Sequence, residues 1–381
     1  MSAVAEIRSV TIVGAGLAGL GSAITLARLG LDVTVVERSD RLAYGASITI
    51  VNRGPDALKD LGVLEEVIAQ GVAGWNTSLY DDVFDEHGNP RQTLPMPIRE
   101  DDGLPSYILI YRPRLAEILS RRAREYGAEI RLGVEVTGVM DHGDGVSATL
   151  STGETIESDL LIGADGWRSP VREGIFPGRV ASTYSGNMSM RWVKRNPPQG
   201  LDGFYLNDGS GAVVVHNLGE EMVYIATGTN MENRHLEHEE AVKVFREILQ
   251  RYPAPYIQAL RETVADDDEI VVRPYVYHNM PAPWHHDRIL VLGDAAHTMS
   301  AHIASGGVMA LEDAIVLGEE LANATDLDTA LLAFAKRRAR RTFVAVDACR
   351  QMLDLQVNYE AHPRDTARVR HSAFTELLTA Y

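Results

Sequence analysis

The sequence contains one cysteine, Cys349, among its 381 residues. A single cysteine excludes an intramolecular disulfide bond and is typical of a protein from a reducing compartment. Cys349 lies in a helix-favouring stretch, and we interpret it as a small core residue. The fold must therefore rest on a hydrophobic core, for which a 45% content of hydrophobic residues is ordinary.

Positive charge and long hydrophobic runs are also scarce. Lysine and arginine number 36 against 53 aspartate and glutamate, which gives a formal net charge of −17. This balance argues against a nucleic-acid or anionic-membrane partner, because either normally requires a basic face. The apolar runs have strand length, short of the ~20 residues of a membrane helix. The first residues also lack the pattern of a signal peptide. We therefore expect a soluble, cytoplasmic protein.

A glycine-rich turn near the start organises the chain. A β-branched strand, Val10–Val13, leads into Gly14-x-Gly16-x-x-Gly19, a helix-favouring run follows, and a second strand spans Asp32–Glu37. This order is typical of a dinucleotide-binding βαβ unit. Gly14 permits the tight turn, Gly16 lets the backbone approach a pyrophosphate, and Gly19 lets the helix pack on the strand.

Glu37 strengthens this interpretation. It ends the second strand near the ~20-residue spacing at which a carboxylate accepts hydrogen bonds from a ribose. A glycine-rich turn that merely precedes a helix does not explain this glutamate. On these residues alone, however, an NAD-dependent dehydrogenase is as good an interpretation as any other dinucleotide-binding protein.

Two further turns follow apolar strands, at Asp165-Gly166 and at Gly293-Asp294. Ligands of open α/β sheets bind outside the carboxyl ends of the strands. An aspartate there accepts hydrogen bonds from ribose or ribityl hydroxyls, and the glycine lets the backbone approach a phosphate. Either aspartate alone is more often a turn or cap residue. Together with the first turn, they favour a long cofactor site.

The length of 381 residues exceeds one typical domain. Residues 179–273 alternate in strand fashion around a single predicted helix, His238 to Tyr252, and we interpret them as an inserted antiparallel sheet. A buried strand precedes Gly293, and long helices are predicted from about Gly306 to Ala322 and from Asp328 to Leu355.

These segments, in this order, resemble the FAD-dependent aromatic hydroxylases, the single-component flavoprotein monooxygenases related to p-hydroxybenzoate hydroxylase. Residues 14–19 with Glu37 match their adenosine-binding motif, 159–172 their Asp-Gly motif, and 288–297 their Gly-Asp motif at the ribityl chain. Arg112, three residues before Leu115, matches an Arg-x-x-Leu element whose arginine contacts the cofactor.

The resemblance implies an α/β fold: a Rossmann-like FAD-binding domain with a mainly parallel sheet, an inserted antiparallel substrate lobe and C-terminal helices. It assigns residues 1–75, 100–178 and 274–340 to the FAD-binding domain, 76–99 and 179–273 to the substrate lobe, and 341–381 to a helical segment. The implied FAD-binding residues are Gly14, Gly16, Ala18, Gly19, Glu37, Arg38, Arg112, Asp165, Gly166, Gly293, Asp294, Gly306 and Gly307.

The chain departs from this class after the Gly-Asp motif. Most members carry proline, glycine and glutamine where this chain has Ala301, Ala304 and Ser305. Gly306-Gly307 is retained, so the helix N-terminus is still expected to face the flavin and stabilise its reduced anion. His302-Ile-Ala304 and Gly45–Ile50 resemble the pyridine-type hydroxylases, such as 6-hydroxynicotinate 3-monooxygenase.

The resemblance also implies the reaction. NADH or NADPH reduces the flavin, oxygen forms a flavin hydroperoxide, and its terminal oxygen attacks an electron-rich ring. The nicotinamide nucleotide is expected to bind transiently, because no second G-x-G-x-x-G unit is present. No metal is expected, since the acidic clusters at 81–82, 101–102 and 266–268 lack histidine at ligand spacing.

Two histidines are candidate general bases for activating a ring hydroxyl, because imidazole titrates near neutrality. His216 ends a strand of the inserted sheet, and His302 follows the Gly-Asp motif. The alternative for each is a hydrogen-bonded structural histidine. Met190, Trp192, Tyr205 and Tyr224 are candidates for the substrate pocket, with core packing as the alternative.

The sequence thus predicts an FAD monooxygenase that uses NAD(P)H and O2 to hydroxylate a small phenolic or hydroxylated N-heteroaromatic substrate, with decarboxylation as a variant. One alternative is a larger polycyclic natural product or antibiotic as substrate, and another is a non-catalytic dinucleotide-binding or redox-sensing protein. A homodimer is left open.

Overall fold

The computed structural model describes residues 6–44, 46–79, 81–91, 96–207, 211–219, 221–357 and 365–381. Gly45, the first residue of the segment that resembles pyridine-type hydroxylases, lies outside the described residues.

The described chain alternates strands and helices through its first half. The strands are β1 Ser9–Val13, β2 Asp32–Glu37, β3 Ser47–Val51, β4 Val72–Gly74, β5 Val83–Asp85, β6 Tyr107–Tyr111, β7 Glu129–Leu132, β8 Val136–Asp141, β9 Val146–Leu150, β10 Thr155–Ser158, β11 Leu160–Gly163, β12 Thr183–Arg195, β13 Gly203–Leu206, β14 Ala212–Asn217, β15 Met222–Asn230, β16 Val271–Asn279, β17 His285–His286, β18 Ile289–Val291 and β19 His297–Thr298. The helices are α1 Leu17–Arg28, α2 Gly54–Asp60, α3 Leu64–Gln70, α4 Arg112–Glu125, α5 Pro170–Ile175, α6 His238–Gln250, α7 Pro255–Glu262, α8 Gly306–Asn323, α9 Leu327–Val357 and α10 Asp365–Leu377, with 3-10 turns at Gly293–Ala295 and Ala301–Ile303.

The first sheet is a parallel, Rossmann-like sheet in the order β17-β18-β11-β1-β2-β7, with only the short β17 antiparallel. Its central strands are apolar and buried, as expected for strands covered on both faces. Helices α1 and α8 pack together over it. The carboxyl ends of β1, β2 and β11 therefore meet at one edge of the sheet.

The second large sheet has the order β19-β16-β12-β15-β14-β13-β5, antiparallel except for the pairing of β13 with β5. Helices α6 and α7 cover one face, and Trp192, Tyr205 and Phe245 lie in the core between them. The other face, which carries Tyr224, packs on the small sheet β3-β6-β4 through Leu109. This second face is therefore the one that looks toward the Rossmann-like sheet.

The predicted fold class, a parallel cofactor sheet with a separate antiparallel sheet, is confirmed. Two details differ from the sequence analysis. Helix α7 was not predicted, because a single helix was assigned to the inserted region. The proposed lobe boundary at residue 273 falls inside the continuous strand β16. Within the described ranges, no helix combines the length and the apolar character needed to cross a membrane.

Candidate active site

A cavity of about 570 Å³ opens at the carboxyl ends of β1, β2 and β11. Its size is within the range of cofactor and ligand pockets, and its place agrees with the ligand site of open α/β sheets. Seven of the implied cofactor residues line it: Gly14, Gly16, Glu37, Arg38, Arg112, Asp165 and Gly166.

The glycines of the glycine-rich turn are required for different structural reasons. Gly14 has a φ of +106°, and a Cβ on it would lie 2.4 Å from the Ala164 carbonyl oxygen. A Cβ on Gly16 would meet no protein atom within 4 Å. Gly16 is also the N-cap of α1, and no side chain caps this helix. The first-turn N–H groups are thus available to an anion at the cavity wall.

Glu37 holds this turn in place. Its Oε2 accepts a hydrogen bond from the Ala15 N–H at 2.9 Å, and its Oε1 accepts one from the Ser39 N–H at 2.9 Å. A carboxylate has about four acceptor sites, so Glu37 retains capacity for ribose hydroxyls.

One of the two carboxylate oxygens of Asp165 accepts no hydrogen bond from the described residues. Its Oδ2 accepts from the Val171 N–H at 3.1 Å, whereas its Oδ1 is buried and has no hydrogen-bond partner among the described residues. Burial raises the pKa of the Asp165 carboxyl, and hydrogen bonds from Ser169 and Val171 only partly offset this. A buried acceptor without a donor is costly, so the site fits a ligand that brings hydroxyl groups.

Four of the remaining cofactor candidates do not line the cavity but lie at close packing contacts. A Cβ on Gly19 would lie 1.9 Å from the Gly14 carbonyl oxygen, and a Cβ on Gly293 would lie 2.6 Å from the Ala18 Cβ. Gly307 is packed as closely, because its Cβ would lie 2.5 Å from the Ile48 Cδ1. Gly19 thus allows a close approach to backbone, and Gly293 and Gly307 allow a close approach to the side chains of Ala18 and Ile48.

Arg172, at the end of the Asp-Gly motif, joins two of the motif turns, a role that the sequence analysis did not assign. It is buried and donates hydrogen bonds to the Trp167 carbonyl at 3.0 Å and to the Ala295 carbonyl at 2.7 Å. It also contacts His278 Nε2 at 3.3 Å. The Asp165 turn and the Gly293 turn are therefore fixed relative to each other.

Two further arginines, missed in the sequence analysis, enter the cavity from the antiparallel sheet. Arg191 on β12 and Arg273 on β16 line it together with Arg112. Desolvation in the enclosed cleft lowers the pKa of Arg112, and repulsion by Arg191 adds to this. Desolvation also acts to lower the pKa of Arg191, but interactions with Tyr224, Tyr275 and Asp294 outweigh it, so the pKa is raised.

Asp294 is the carboxylate that interacts with this arginine cluster. The residue is exposed to solvent. The surrounding protein nevertheless raises its pKa by desolvation, an effect that His297, Arg112 and Arg191 oppose. Two of the arginines, Arg112 and Arg191, therefore interact with this carboxylate. Among the described residues, the cavity as a whole is lined by five arginines and three carboxylates, a balance that favours anions.

The N-terminus of α8 follows the second 3-10 turn. Gly306 begins the helix, and the N-cap Ser305 makes no side-chain cap. The residue before it, Ala304, has a left-handed backbone with φ 53° and ψ 22°. Ala304 stands where most members of the resembling class have glycine, the residue that adopts this left-handed conformation at least cost.

The two candidate bases differ in their surroundings. The half-buried His302 contacts the Ser300 Oγ through Nδ1 at 2.7 Å, and its ring lies 5.4 Å from that of Tyr275. His216 is buried between Phe204 and Tyr224, and neither ring nitrogen has a hydrogen-bond partner in the described part of the chain. Burial lowers the pKa of His216 to about 4.

The candidate pocket residues divide between the two faces of the sheet. Met190, Trp192 and Tyr205 lie in the core beneath α6 and α7, on the face turned away from the cavity. Tyr224 lies on the opposite face and helps to raise the pKa of Arg191. No group of three or more metal-binding side chains occurs in the described ranges.

The geometry defines an FAD-type α/β fold with an antiparallel lobe over the cleft, and comparisons with known proteins agree. Residues 8–348 match the FAD binding domain family. The chain is 30% identical to aurachin C monooxygenase/isomerase of Stigmatella aurantiaca over 348 residues, which cover 88% of this chain and 87% of that protein. It is 29% identical to the FAD-dependent urate hydroxylase of Mycolicibacterium vanbaalenii over 375 residues, 94% of this chain and 91% of the relative.

Among solved structures, 2-methyl-3-hydroxypyridine-5-carboxylic acid oxygenase in its tetrameric form matches with a TM-score of 0.73 and 23% identity, over 96% of each chain. The chain therefore belongs to the FAD binding domain family, and it is an FAD-dependent monooxygenase. The resemblance to the FAD-dependent hydroxylases is thereby confirmed. The relatives are named for different substrates, so family membership leaves the substrate open.

Proposed function

We propose that this enzyme uses NADH or NADPH and O2 to hydroxylate a small, anionic aromatic ring, a phenol or a hydroxylated N-heteroaromatic. The observation that carries the proposal is the shared cleft. Residues of the FAD motifs form one wall, and Arg191 and Arg273 of the antiparallel sheet line the same cavity. A cofactor bound along the first wall would meet a substrate under the second.

FAD, when bound, supplies the reduction and oxygen-activation chemistry, and the protein supplies position and electrostatics. The uncapped first turn of α1 binds phosphates. Glu37 and the unpartnered Oδ1 of Asp165 accept hydrogen bonds from hydroxyl groups. The uncapped N-terminus of α8 would stabilise negative charge on a flavin bound next to it.

The substrate class follows from the arginine cluster. Arg112, Arg191 and Arg273 bring the described arginines that line the cavity to five, against the three carboxylates of Glu37, Glu135 and Asp165, so the cavity carries excess positive charge. Positive charge favours the phenolate over the phenol, because an opposite charge stabilises the ionised form. It also favours a ring carboxylate, which supports hydroxylation coupled to decarboxylation as a variant.

His302 is the better candidate for the base that removes the ring proton. Its contact with Ser300 orients the imidazole, and it lies beside Tyr275, which also interacts with Arg191. His216 would be a weak base, because burial lowers its pKa to about 4. Its two unpartnered nitrogens instead suit a neutral hydrogen-bonding role.

Purified protein tests the proposal. We expect a yellow protein that releases FAD on heating and oxidises NADH or NADPH faster when a monocyclic phenol or hydroxypyridine is added, with a hydroxylated product. A carboxylated phenol or hydroxypyridine should stimulate the oxidation more strongly than the same ring without the carboxylate. Colourless protein that binds no FAD would contradict the cofactor assignment. Stimulation only by polycyclic compounds would favour the alternative, a larger natural product or antibiotic as substrate.

A further inference from the structure

Four charged side chains form a buried chain of ion pairs behind the cleft. Glu312 and Asp313 lie on α8, and Arg338 and Arg341 lie on α9. All four are buried. We call this group the buried relay. Its two acids and two bases balance in charge, and none of them lines the cavity.

One end of the buried relay holds the Gly293 turn. Asp313 Oδ2 accepts hydrogen bonds from the Gly293 N–H at 2.9 Å and from His297 Nε2 at 2.6 Å. Its Oδ1 accepts from Arg338 Nε at 2.7 Å. A single carboxylate thus fixes both ends of the turn that carries Asp294.

The other end holds the residues that close α10. Arg341 forms a bidentate pair with Glu312, at 2.7 and 2.9 Å, and donates to the carbonyls of Leu377 at 2.6 Å and Thr379 at 3.0 Å. Arg338 completes the connection, because its Nη2 lies 2.8 Å from Glu312 Oε2. A continuous charged path therefore runs from Leu377 and Thr379 to the Gly293 amide.

Buried charges make such a path sensitive to each member. Removing one partner leaves the next charge desolvated and unpaired, which is strongly unfavourable. The members also polarise one another, so the loss of one weakens the interactions of the others. A change at Arg341 should therefore be felt at Asp313 and at the turn that it holds.

We propose that Arg341, docked on Leu377 and Thr379, is a positioning residue that sets how tightly FAD is bound, acting through the buried relay on the Gly293 turn. The proposal goes beyond the substrate assignment and rests only on the binding of FAD. Residues at the end of α10 would thereby control a cofactor site that they do not line.

Arg337 provides a matched control. It lies on the same helix and also donates to this segment, at the Tyr381 carbonyl, 2.8 Å away. Its acidic partners are Glu319 and Glu320, which are outside the buried relay. Arg337→Met thus removes a contact with the same segment but leaves the path to Gly293 intact.

The experiment titrates FAD into the apoproteins and follows the change in flavin fluorescence. Arg341→Met should raise the Kd for FAD at least tenfold, Arg341→Lys at least threefold, and Arg337→Met less than twofold. Hydrogen exchange in the Gly293–His297 segment should be faster in Arg341→Met than in Arg337→Met, which a purely structural role of α10 docking would not produce.

The contrary results are equally specific. An unchanged Kd in Arg341→Met, or an equal loss in Arg337→Met, overturns the proposal. If Arg341→Met does not fold, as judged by circular dichroism, Arg341→Lys decides, and a Kd less than threefold above that of wild type overturns the proposal. Wild-type protein that binds no FAD refutes the proposed function itself, which distinguishes that failure from this one.

Discussion

A Cβ on Gly19 would lie 1.9 Å from the carbonyl oxygen of Gly14, so the first helix and the glycine-rich turn are in direct backbone contact. Gly16, three residues earlier, has open space where its Cβ would be and an ordinary φ of −74°. The two glycines therefore serve different purposes. Gly19 is required by the protein itself, and Gly16 by whatever fills the cavity.

This difference predicts opposite outcomes for the two alanine variants. Gly19→Ala should lower the free energy of unfolding of the apoprotein by about 3 kcal/mol or more, because a backbone atom has to move. Gly16→Ala should change it by less than ~1 kcal/mol but weaken FAD binding at least tenfold, which is ~1.4 kcal/mol. Denaturant unfolding of the apoproteins and FAD titration measure the two effects. Full FAD affinity in Gly16→Ala would refute the placement of the pyrophosphate.

Ala304 leads to a second prediction. Its left-handed backbone costs an L-residue about 1 to 2 kcal/mol that glycine does not pay. Ala301, at the start of the same 3-10 turn, has no positive φ. Ala304→Gly relieves strain, whereas Ala301→Gly only adds freedom to the unfolded chain. We expect Ala304→Gly to be more stable than Ala301→Gly by ~1 kcal/mol or more in urea unfolding, and equal stabilities would contradict the strain.

Sequence reasoning succeeded where the signal is local or where parallel strands align it. The spacing of Gly14, Gly16 and Gly19 dictates a turn, and Glu37 is placed by the strand that it ends. Asp165 could be linked to these residues because the carboxyl ends of parallel strands lie at one edge. For the same reason the predicted sheet agrees with the observed one. The assignment of individual cofactor residues stays a prediction.

The inserted lobe was harder to predict, because alternation alone does not say which face of a strand is covered. Trp192 and Arg191 are neighbours on β12 and point to opposite faces. The large aromatic side chain was a pocket candidate, yet α6 and α7 cover its face. Arg191 lines the cavity instead. Helix α7 was missed for a related reason. Pro255 is typical of a turn as well as of a helix start, and only the folded structure shows that Ile257 and Leu260 are buried in a core.

His216 predicts a pH dependence of stability. Its pKa is lowered to about 4 in the folded protein, against about 6.5 in the unfolded chain. As the pH falls below 6.5 the unfolded chain takes up a proton that the folded protein rejects, so stability is lost between pH 6.5 and 4. The loss amounts to about 3 kcal/mol. His278, whose pKa is also lowered to about 4, mainly by desolvation, adds a loss in the same direction.

Replacement of His216 tests this sign. His216→Asn should reduce the acid-dependent loss of the free energy of unfolding by about 3 kcal/mol, with the His278 contribution remaining. Urea unfolding at several pH values between 4 and 7 measures it. The control is His235→Asn, because the His235 side chain is exposed. A wild-type slope in His216→Asn would show that the buried imidazole is not responsible. Because the proposed general base is His302 and not His216, His216→Asn should also keep the wild-type pH profile of turnover above pH 6.

Arg191 carries the last prediction, which tests the anionic substrate. A charge-assisted hydrogen bond contributes about 1.5 to 3 kcal/mol, so Arg191→Met should raise the KM for a carboxylated or phenolic substrate roughly 10- to 100-fold. The KM for the uncharged analogue of that substrate should rise much less. Arg195→Met is the matched control, because Arg195 lies on the same strand and is exposed at its end. Steady-state assays with both substrates separate a binding effect from a general loss of activity. If Arg191→Met weakens charged and uncharged substrates equally, Arg191 does not recognise the negative charge, and the proposed substrate class must be abandoned.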